Sequence, residues 1–147
     1  MPRLRDVSAP WHASPTGQAA ALALTIAAFT WAWLGVGVAT GAAPIPDGAP
    51  HATLPMILRE ALWFVPAGFV VVVLVTRRYA AAVSAMLIFA PAVRVVSYLW
   101  AWLTHLAGDA AGHPTGWYAA TMHVPLLALA VLVALLTRAA RTEGITR

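Results

Sequence analysis

Charged side chains interrupt the apolar sequence at few places, and the intervals between them have the length of membrane-spanning helices. The first run, Ala19 to Thr40, has 22 residues without a charge. As an α-helix it would measure ~33 Å, enough to cross a hydrocarbon core of about 30 Å. A cleaved signal peptide is the alternative, but this run exceeds the usual apolar region of about 7–15 residues. It therefore predicts a first transmembrane helix at 19–40.

Three further apolar runs, separated by turn signals, predict three more transmembrane helices. The segment 41–53 is rich in proline and glycine, which do not continue a helix. A second helix is predicted at 54–75 and a third at 79–103, joined by a short turn that contains two arginines. A glycine-rich loop at 104–116 leads to a fourth helix at 117–137. The predicted fold is all-α, a single domain formed by an antiparallel bundle of four transmembrane helices.

The distribution of arginine predicts the orientation of these helices. All nine basic residues are arginines, and seven lie in the two tails, 1–18 and 138–147, or in the turn between the second and third helices: Arg3, Arg5, Arg77, Arg78, Arg138, Arg141 and Arg147. The loops 41–53 and 104–116 contain none. Because short cytoplasmic segments are enriched in basic residues, we expect a multi-pass protein of the cell membrane with both termini in the cytoplasm.

Composition agrees with a membrane protein and excludes several function classes. Of the 147 residues, 61% are apolar and only 10% are charged, which is too little charge for a soluble surface. The positive charges punctuate apolar runs and form no polar face, so no nucleic-acid partner is expected. The absence of cysteine excludes disulfides, thiolate metal sites and a cysteine nucleophile. The expected partners are the lipid bilayer and either a larger membrane protein or a second copy, because Gly37 and Gly41 have the spacing of a close helix contact.

Three ionisable side chains are predicted at a similar depth, near the surface that carries the two arginine-free loops. Counted by helical rise, Glu60, Arg94 and His123 lie ~6, ~7 and ~9 Å below that surface. A charge inside a bilayer is rarely left unpaired, so Glu60 and Arg94 are expected to form an ion pair. This pair either fixes the second helix against the third or builds, with His123, a polar site open to the outer leaflet. In the second case these three are the candidate catalytic residues.

The third helix predicts a ligand-binding stripe at the same depth. Arg94, Tyr98, Ala101 and His105 share one helix face by their spacing, so Arg94, Tyr98 and His105 are candidate ligand-binding residues. Tryptophans also concentrate in this half of the membrane, either as anchors or as part of a pocket or partner surface. They are Trp31, Trp33, Trp63, Trp100, Trp102 and Trp117.

Histidines and carboxylates on this side of the membrane provide nitrogen and oxygen ligands, but their spacing matches no metal signature. They are His51, His105, His113, His123, Asp47, Asp109 and Glu60. Haem ligation by His105 and His123 is geometrically conceivable across the ends of two helices, although no sequence pattern supports it. We therefore expect no metal and no cofactor.

The segment 55–64, which follows the proline-rich loop, resembles part of the membrane acyltransferase-3 family. That family carries a Trp-Ser-Leu-x-x-Glu-x-x-Phe-Tyr signature, and this chain has Pro-Met-Ile-Leu-Arg-Glu-Ala-Leu-Trp-Phe. Glu60 matches the acid, and Trp63 and Phe64 stand at the aromatic pair, whereas the first Trp and Ser are absent. The resemblance covers about 41–66 and extends loosely to residue 123. It implies transfer of acyl groups to extracytoplasmic sugars or lipids by a larger protein, of which this chain would be a truncated relative or a partner.

Three functions remain open from the sequence. The first is a noncatalytic accessory or assembly subunit of a larger membrane complex. The second is an acyltransferase-like role at the outer leaflet, in which Glu60 is an acid or base, Arg94 binds a phosphate or carboxylate, and His123 relays protons. The third is a small dimeric transporter, although the first helix lacks an acidic residue.

Overall fold

The computed structural model describes residues 14–42, 48–76 and 79–146, with side chains described up to residue 143. Within these ranges, four segments are long and apolar enough to cross a membrane, as a multi-pass membrane protein requires. The predicted all-α class with four spans is therefore confirmed.

The first three spans are single helices and the fourth is divided. The helices are α1 (Pro15–Ala39), α2 (Met56–Thr76), α3 (Ala80–Leu106), α4 (Gly116–Thr121) and α5 (Val124–Thr146). α1 packs against α2 and α5, and α3 packs against α2, α4 and α5, so the long helices form a closed ring. The apolar core between them is built from all four spans and includes Leu24, Trp63, Val70, Leu87 and Val133.

The start of α1 and the end of α5 lie at the same end of the bundle. The hydroxyl of Thr16, in the first turn of α1, donates a hydrogen bond of 2.6 Å to the carboxylate of Glu143, near the end of α5. Four antiparallel spans require that the first span begins on the side where the fourth span ends, and this contact agrees with that requirement. We call this end of the bundle the terminal end, and the opposite end, which carries the loops after α1 and α3, the loop end.

α1 begins at Pro15, four residues before the predicted start. Ser14 is its N-cap, because the Ser14 hydroxyl accepts a hydrogen bond of 3.0 Å from the N–H of Gly17. Pro15 suits the first helical position, where its missing N–H has no partner to lose. At the other end of the chain α5 continues to Thr146, so residues 138–146 of the predicted tail are helical.

The fourth span is not the continuous helix predicted at 117–137. The helix stops at Met122 and His123 and resumes at Val124. Pro125 explains the break, because it has no N–H to donate to the carbonyl of Thr121 and its ring disfavours helical geometry just before it. The N–H of His123 instead donates to the carbonyl of Ala120 at 3.0 Å, in a tighter turn.

Two loops cover the loop end of the bundle. The first contains one turn of 3-10 helix, Pro50–Thr53, which packs against α3. The second returns to α3, where the N–H of His113 donates to the carbonyl of Ala101 at 2.7 Å. Gly48 has φ +77° and meets Ala111 so closely that a Cβ would not fit. The two loops therefore pack directly against each other.

Several predicted features lie outside the described residues. They are Arg3, Arg5, Arg77, Arg78, Arg147 and Asp47. Most of the orientation signal belongs to this group, so the cytoplasmic placement of the terminal end stays a prediction.

Candidate functional site

Arg94 lies in the loop-end half of α3, with its side chain buried among aromatic rings and only 3% exposed. Its Nη1 donates a hydrogen bond of 3.1 Å to the hydroxyl of Tyr98, one turn further along the helix. Its Cζ lies 5.3 Å from the centroid of the Trp63 ring, which is a cation–π contact. Among the described residues, Nε and Nη2 have no hydrogen-bond partner. Within this part of the chain, one hydrogen bond and one cation–π contact therefore hold the buried positive charge.

The expected ion pair between Glu60 and Arg94 is not formed. Among the described residues no carboxylate lies within ion-pair distance of the guanidinium, whose one hydrogen bond goes to Tyr98. Glu60 is half-buried on α2 and does not line the cavity beside Arg94. The prediction was wrong because helical rise gives the depth of a residue but not the rotation of its helix, and α2 turns Trp63 toward Arg94.

A cavity of about 380 Å³ adjoins Arg94 and has walls from four helices. This volume lies within the range of small-molecule sites, which is roughly 300–1,000 Å³. Most of the lining is apolar, with a few polar groups that converge, as is usual in ligand sites. The lining residues are Leu34, Val38, Trp63, Arg94, Tyr98, Tyr118, Ala119, Met122 and His123.

Tyr98 connects the polar groups of this cavity. Its ring centroid lies 4.9 Å from that of His51 and 5.2 Å from that of His123. Because the Tyr98 hydroxyl accepts from Arg94, its own proton can be donated to a ligand. Nδ1 of His123 lies 2.8 Å from the carbonyl oxygen of Ala119, which can only accept. Nδ1 therefore carries the proton, and Nε2 of the neutral ring is an acceptor.

His51, which the sequence suggests only as a possible metal ligand, is buried beside Tyr98 in the 3-10 turn of the first loop. Its exposure is 3%, and neither ring nitrogen has a hydrogen-bond partner among the residues that the structure describes. Burial lowers the pKa of His51 from 6.5 to about 4, together with the positive charge of Arg94, that of His123 when its ring is protonated, and that of Arg59. His51 is therefore neutral at physiological pH and adds no charge to the site.

The buried polar atoms that lack a partner concentrate around Arg94. In the part of the chain that the structure describes they are Trp31 Nε1, His51 Nδ1 and Nε2, Arg59 Nε, Trp63 Nε1, and Arg94 Nε and Nη2. Trp31 joins this group through Trp63, at a centroid distance of 6.0 Å. Six of the seven atoms carry an N–H, since one nitrogen of neutral His51 is protonated. The site therefore has more unpartnered hydrogen-bond donors than acceptors.

The structure brings together three of the five predicted site residues, Arg94, Tyr98 and His123. It leaves Glu60 outside the cavity, and His105 is exposed near the end of α3. Trp63 is not among the five predicted site residues, although the concentration of tryptophans in this half left open that they form part of a pocket. Among the described residues no group of three histidines and carboxylates is placed to hold a metal ion.

Comparisons with protein-family models, with curated proteins and with solved structures give no match. The resemblance of 55–64 to the membrane acyltransferase-3 family stays a prediction. Of the residues that carry it, Glu60 lies outside the cavity and Trp63 forms part of its wall.

Proposed function

We propose that this protein binds an anionic ligand at membrane depth, with Arg94 as the main ligand-binding residue. The observation that carries the proposal is the excess of buried donors around a guanidinium that has no acidic partner among the described residues. An ion removed from water costs several kcal/mol unless it is compensated, so such residues in membrane spans are usually paired or functional. A carboxylate or phosphate would supply both the opposite charge and the missing acceptors.

The geometry of Arg94 suits a two-point contact. With Nη1 bonded to Tyr98, the unpartnered Nε and Nη2 form one edge of the guanidinium. This edge presents two parallel N–H groups, which is the arrangement that binds a carboxylate or phosphate bidentately. Both atoms are buried, so a ligand in the cavity that Arg94 lines would reach them only after the guanidinium turns toward it. The Tyr98 hydroxyl is a further donor, and Nε2 of His123 accepts the proton of a ligand that arrives protonated.

Ligand-dependent stability of the purified protein tests this function. The thermal unfolding midpoint is measured in micelles of an uncharged detergent, with dodecyl phosphate or inorganic phosphate added at constant ionic strength. A ligand at 100 times its dissociation constant stabilises by about 2.7 kcal/mol, so binding raises the midpoint measurably. We expect at least one probe to raise the midpoint of the wild type and to have no such effect on Arg94→Met.

The matched control is Arg141→Met, which removes the same charge from an exposed position at the terminal end. This variant should keep the response of the wild type. An equal response of the wild type and Arg94→Met to both probes would contradict the proposal.

A second candidate function is docking to another membrane protein, and the outward face of α1 favours it. Phe29 and Trp33 are 72% and 68% exposed, and their rings stack with a centroid distance of 6.4 Å. Gly37 continues this face one turn further along α1. Gly41 lies two residues beyond the end of the helix, where a Cβ would meet nothing within 4 Å. Small residues beside exposed aromatic rings let a partner helix approach closely. The partner would be a second copy or a larger subunit.

Copurification from native membranes tests this second function. A stoichiometric partner, or a dimer of this chain, should be retained by the wild type and lost in Gly37→Leu. Ala128→Leu makes a similar change at an exposed position of α5 and should retain the partner. A wild type that is monomeric and without a partner under gentle extraction would exclude the accessory role.

A further inference from the structure

The cavity beside Arg94 is covered on the side that faces the loops. Ala49 and His51, from the first loop, are 1% and 3% exposed and pack around Tyr98. Just before them, Gly48 meets Ala111 of the second loop. Packed backbone and buried side chains thus separate this part of the cavity from water at the loop end.

The cavity has an opening between α1 and α4, where its lining residues are accessible. Tyr118 and Met122 of the fourth span line the cavity and are nevertheless 54% and 53% exposed. Leu34 and Val38 of α1 line the facing wall. The rim that these four side chains form is apolar except for the hydroxyl of Tyr118.

The position of α4 explains this opening. α4 packs mainly against α3. Gly116 permits the close approach, because a Cβ at this position would lie 2.5 Å from the carbonyl oxygen of Tyr98. The break at Met122 and His123 interrupts the helix between α4 and α5. α4 is therefore held on α3 and leaves a space beside α1.

The rim of the opening belongs to segments that can cross a membrane. Leu34 and Val38 lie in the first apolar span, and Tyr118 and Met122 lie in the fourth. Such a rim faces acyl chains, and a free inorganic anion would lose its hydration on the way past it, at a cost of many kcal/mol. A lipid-like molecule avoids this cost, because its chain stays in the bilayer while its head group moves a short distance.

We infer that the ligand of Arg94 is an anionic amphiphile, with a single carboxylate or phosphate head group, which reaches the cavity sideways from the bilayer between α1 and α4. The head group contacts Arg94, Tyr98 and His123, and the hydrocarbon chain leaves between Val38 and Met122. This inference rests on the proposed function, since it requires that Arg94 binds an anion. It adds the class of ligand and the route by which the ligand arrives.

The experiment compares three probes in neutral micelles: dodecyl phosphate, oleate and inorganic phosphate. We expect dodecyl phosphate or oleate to raise the unfolding midpoint, and inorganic phosphate at 100-fold higher concentration to leave it unchanged. The relative affinity of the two amphiphiles shows whether the head group is a phosphate or a carboxylate.

Met122→Trp places a larger side chain in the opening and should weaken amphiphile binding at least tenfold. Because Met122 is exposed, this change should leave the fold intact. Leu132→Trp, at a 48% exposed position of the same span, is the matched control and should bind as the wild type does.

The outcomes separate the inference from the proposed function. If inorganic phosphate raises the midpoint as strongly as dodecyl phosphate, and Arg94→Met abolishes both effects, the anion site stands and the lateral route is wrong. If Met122→Trp binds the amphiphile as tightly as Leu132→Trp does, the opening between α1 and α4 is not the route. If Arg94→Met responds to every probe as the wild type does, both proposals fail.

Discussion

The two halves of this bundle are built from the same four spans, yet they differ in whether their buried polar groups have hydrogen-bond partners. In the terminal half, the hydroxyls of Ser84 and Thr137 donate to carbonyls of their own helices, each at 2.8 Å. In the loop half, Arg94, His51 and Trp63 have buried nitrogens without hydrogen-bond partners in the described part of the chain. An unmade buried hydrogen bond costs about 1–3 kcal/mol. Missing partners, more than burial itself, therefore mark the half in which a ligand is expected.

The largest expected effect is a pH dependence of the free energy of unfolding, which arises in the loop half. The pKa of His51 is lowered to about 4 by burial and by the charges of Arg94, of His123 when its ring is protonated, and of Arg59. Between pH 6.5 and 4 the unfolded chain binds a proton at this histidine and the folded chain does not. The free energy of unfolding should therefore fall as the pH drops through this window, by up to roughly 3 kcal/mol.

Unfolding midpoints measured from pH 7 to pH 4 check this prediction. His51→Phe keeps an aromatic ring beside Tyr98 but cannot titrate, so it should lack this part of the pH dependence. Parallel profiles of the wild type and His51→Phe would show that the first loop does not hold a neutral histidine in the folded state.

A smaller effect is expected from truncation in the terminal half. Leu24 is fully buried in the apolar core, so Leu24→Ala leaves a cavity. We expect a loss of roughly 2 kcal/mol, at the low end of the range in soluble proteins, because lipid also solvates the side chain outside the bundle. Leu22→Ala removes the same atoms from a 62% exposed position of α1 and should cost less than about 0.5 kcal/mol. Equal losses in the two variants, measured by reversible unfolding in micelles, would mean that Leu24 is not tightly packed.

The spans themselves could be predicted from the sequence, because a helix that crosses a bilayer needs a long uncharged run. The sequence also contains two local signals, one for the start of a helix and one for a break in a helix. The Ser14-Pro15 pair starts α1, and Pro125 breaks the fourth span. Both signals are polar or conformational, so a prediction based on apolar length alone misses them.

The candidate site could be predicted only in part. Arg94 and Tyr98 are four residues apart on one helix, so their contact follows from helical spacing. Whether Arg94 meets Glu60 depends on the rotation of α2 about its axis. The apolar pattern of a lipid-exposed helix does not determine this rotation. The position of His51 required the packing of a loop over α3, and no local sequence signal encodes that contact. Tertiary packing thus decided which groups of similar depth meet.

The smallest expected effect lies at the polar groups of the terminal half. The Thr137 hydroxyl donates to the carbonyl of Val133, within its own helix, so Thr137→Val leaves no orphaned donor and nearly preserves the volume. We expect a change below about 0.5 kcal/mol in the free energy of unfolding, and an unchanged midpoint increase with dodecyl phosphate. Reversible unfolding with and without this amphiphile measures both quantities. A loss above about 1 kcal/mol would mean that hydroxyls bonded within one helix also stabilise the bundle, and missing partners alone would then no longer distinguish the two halves.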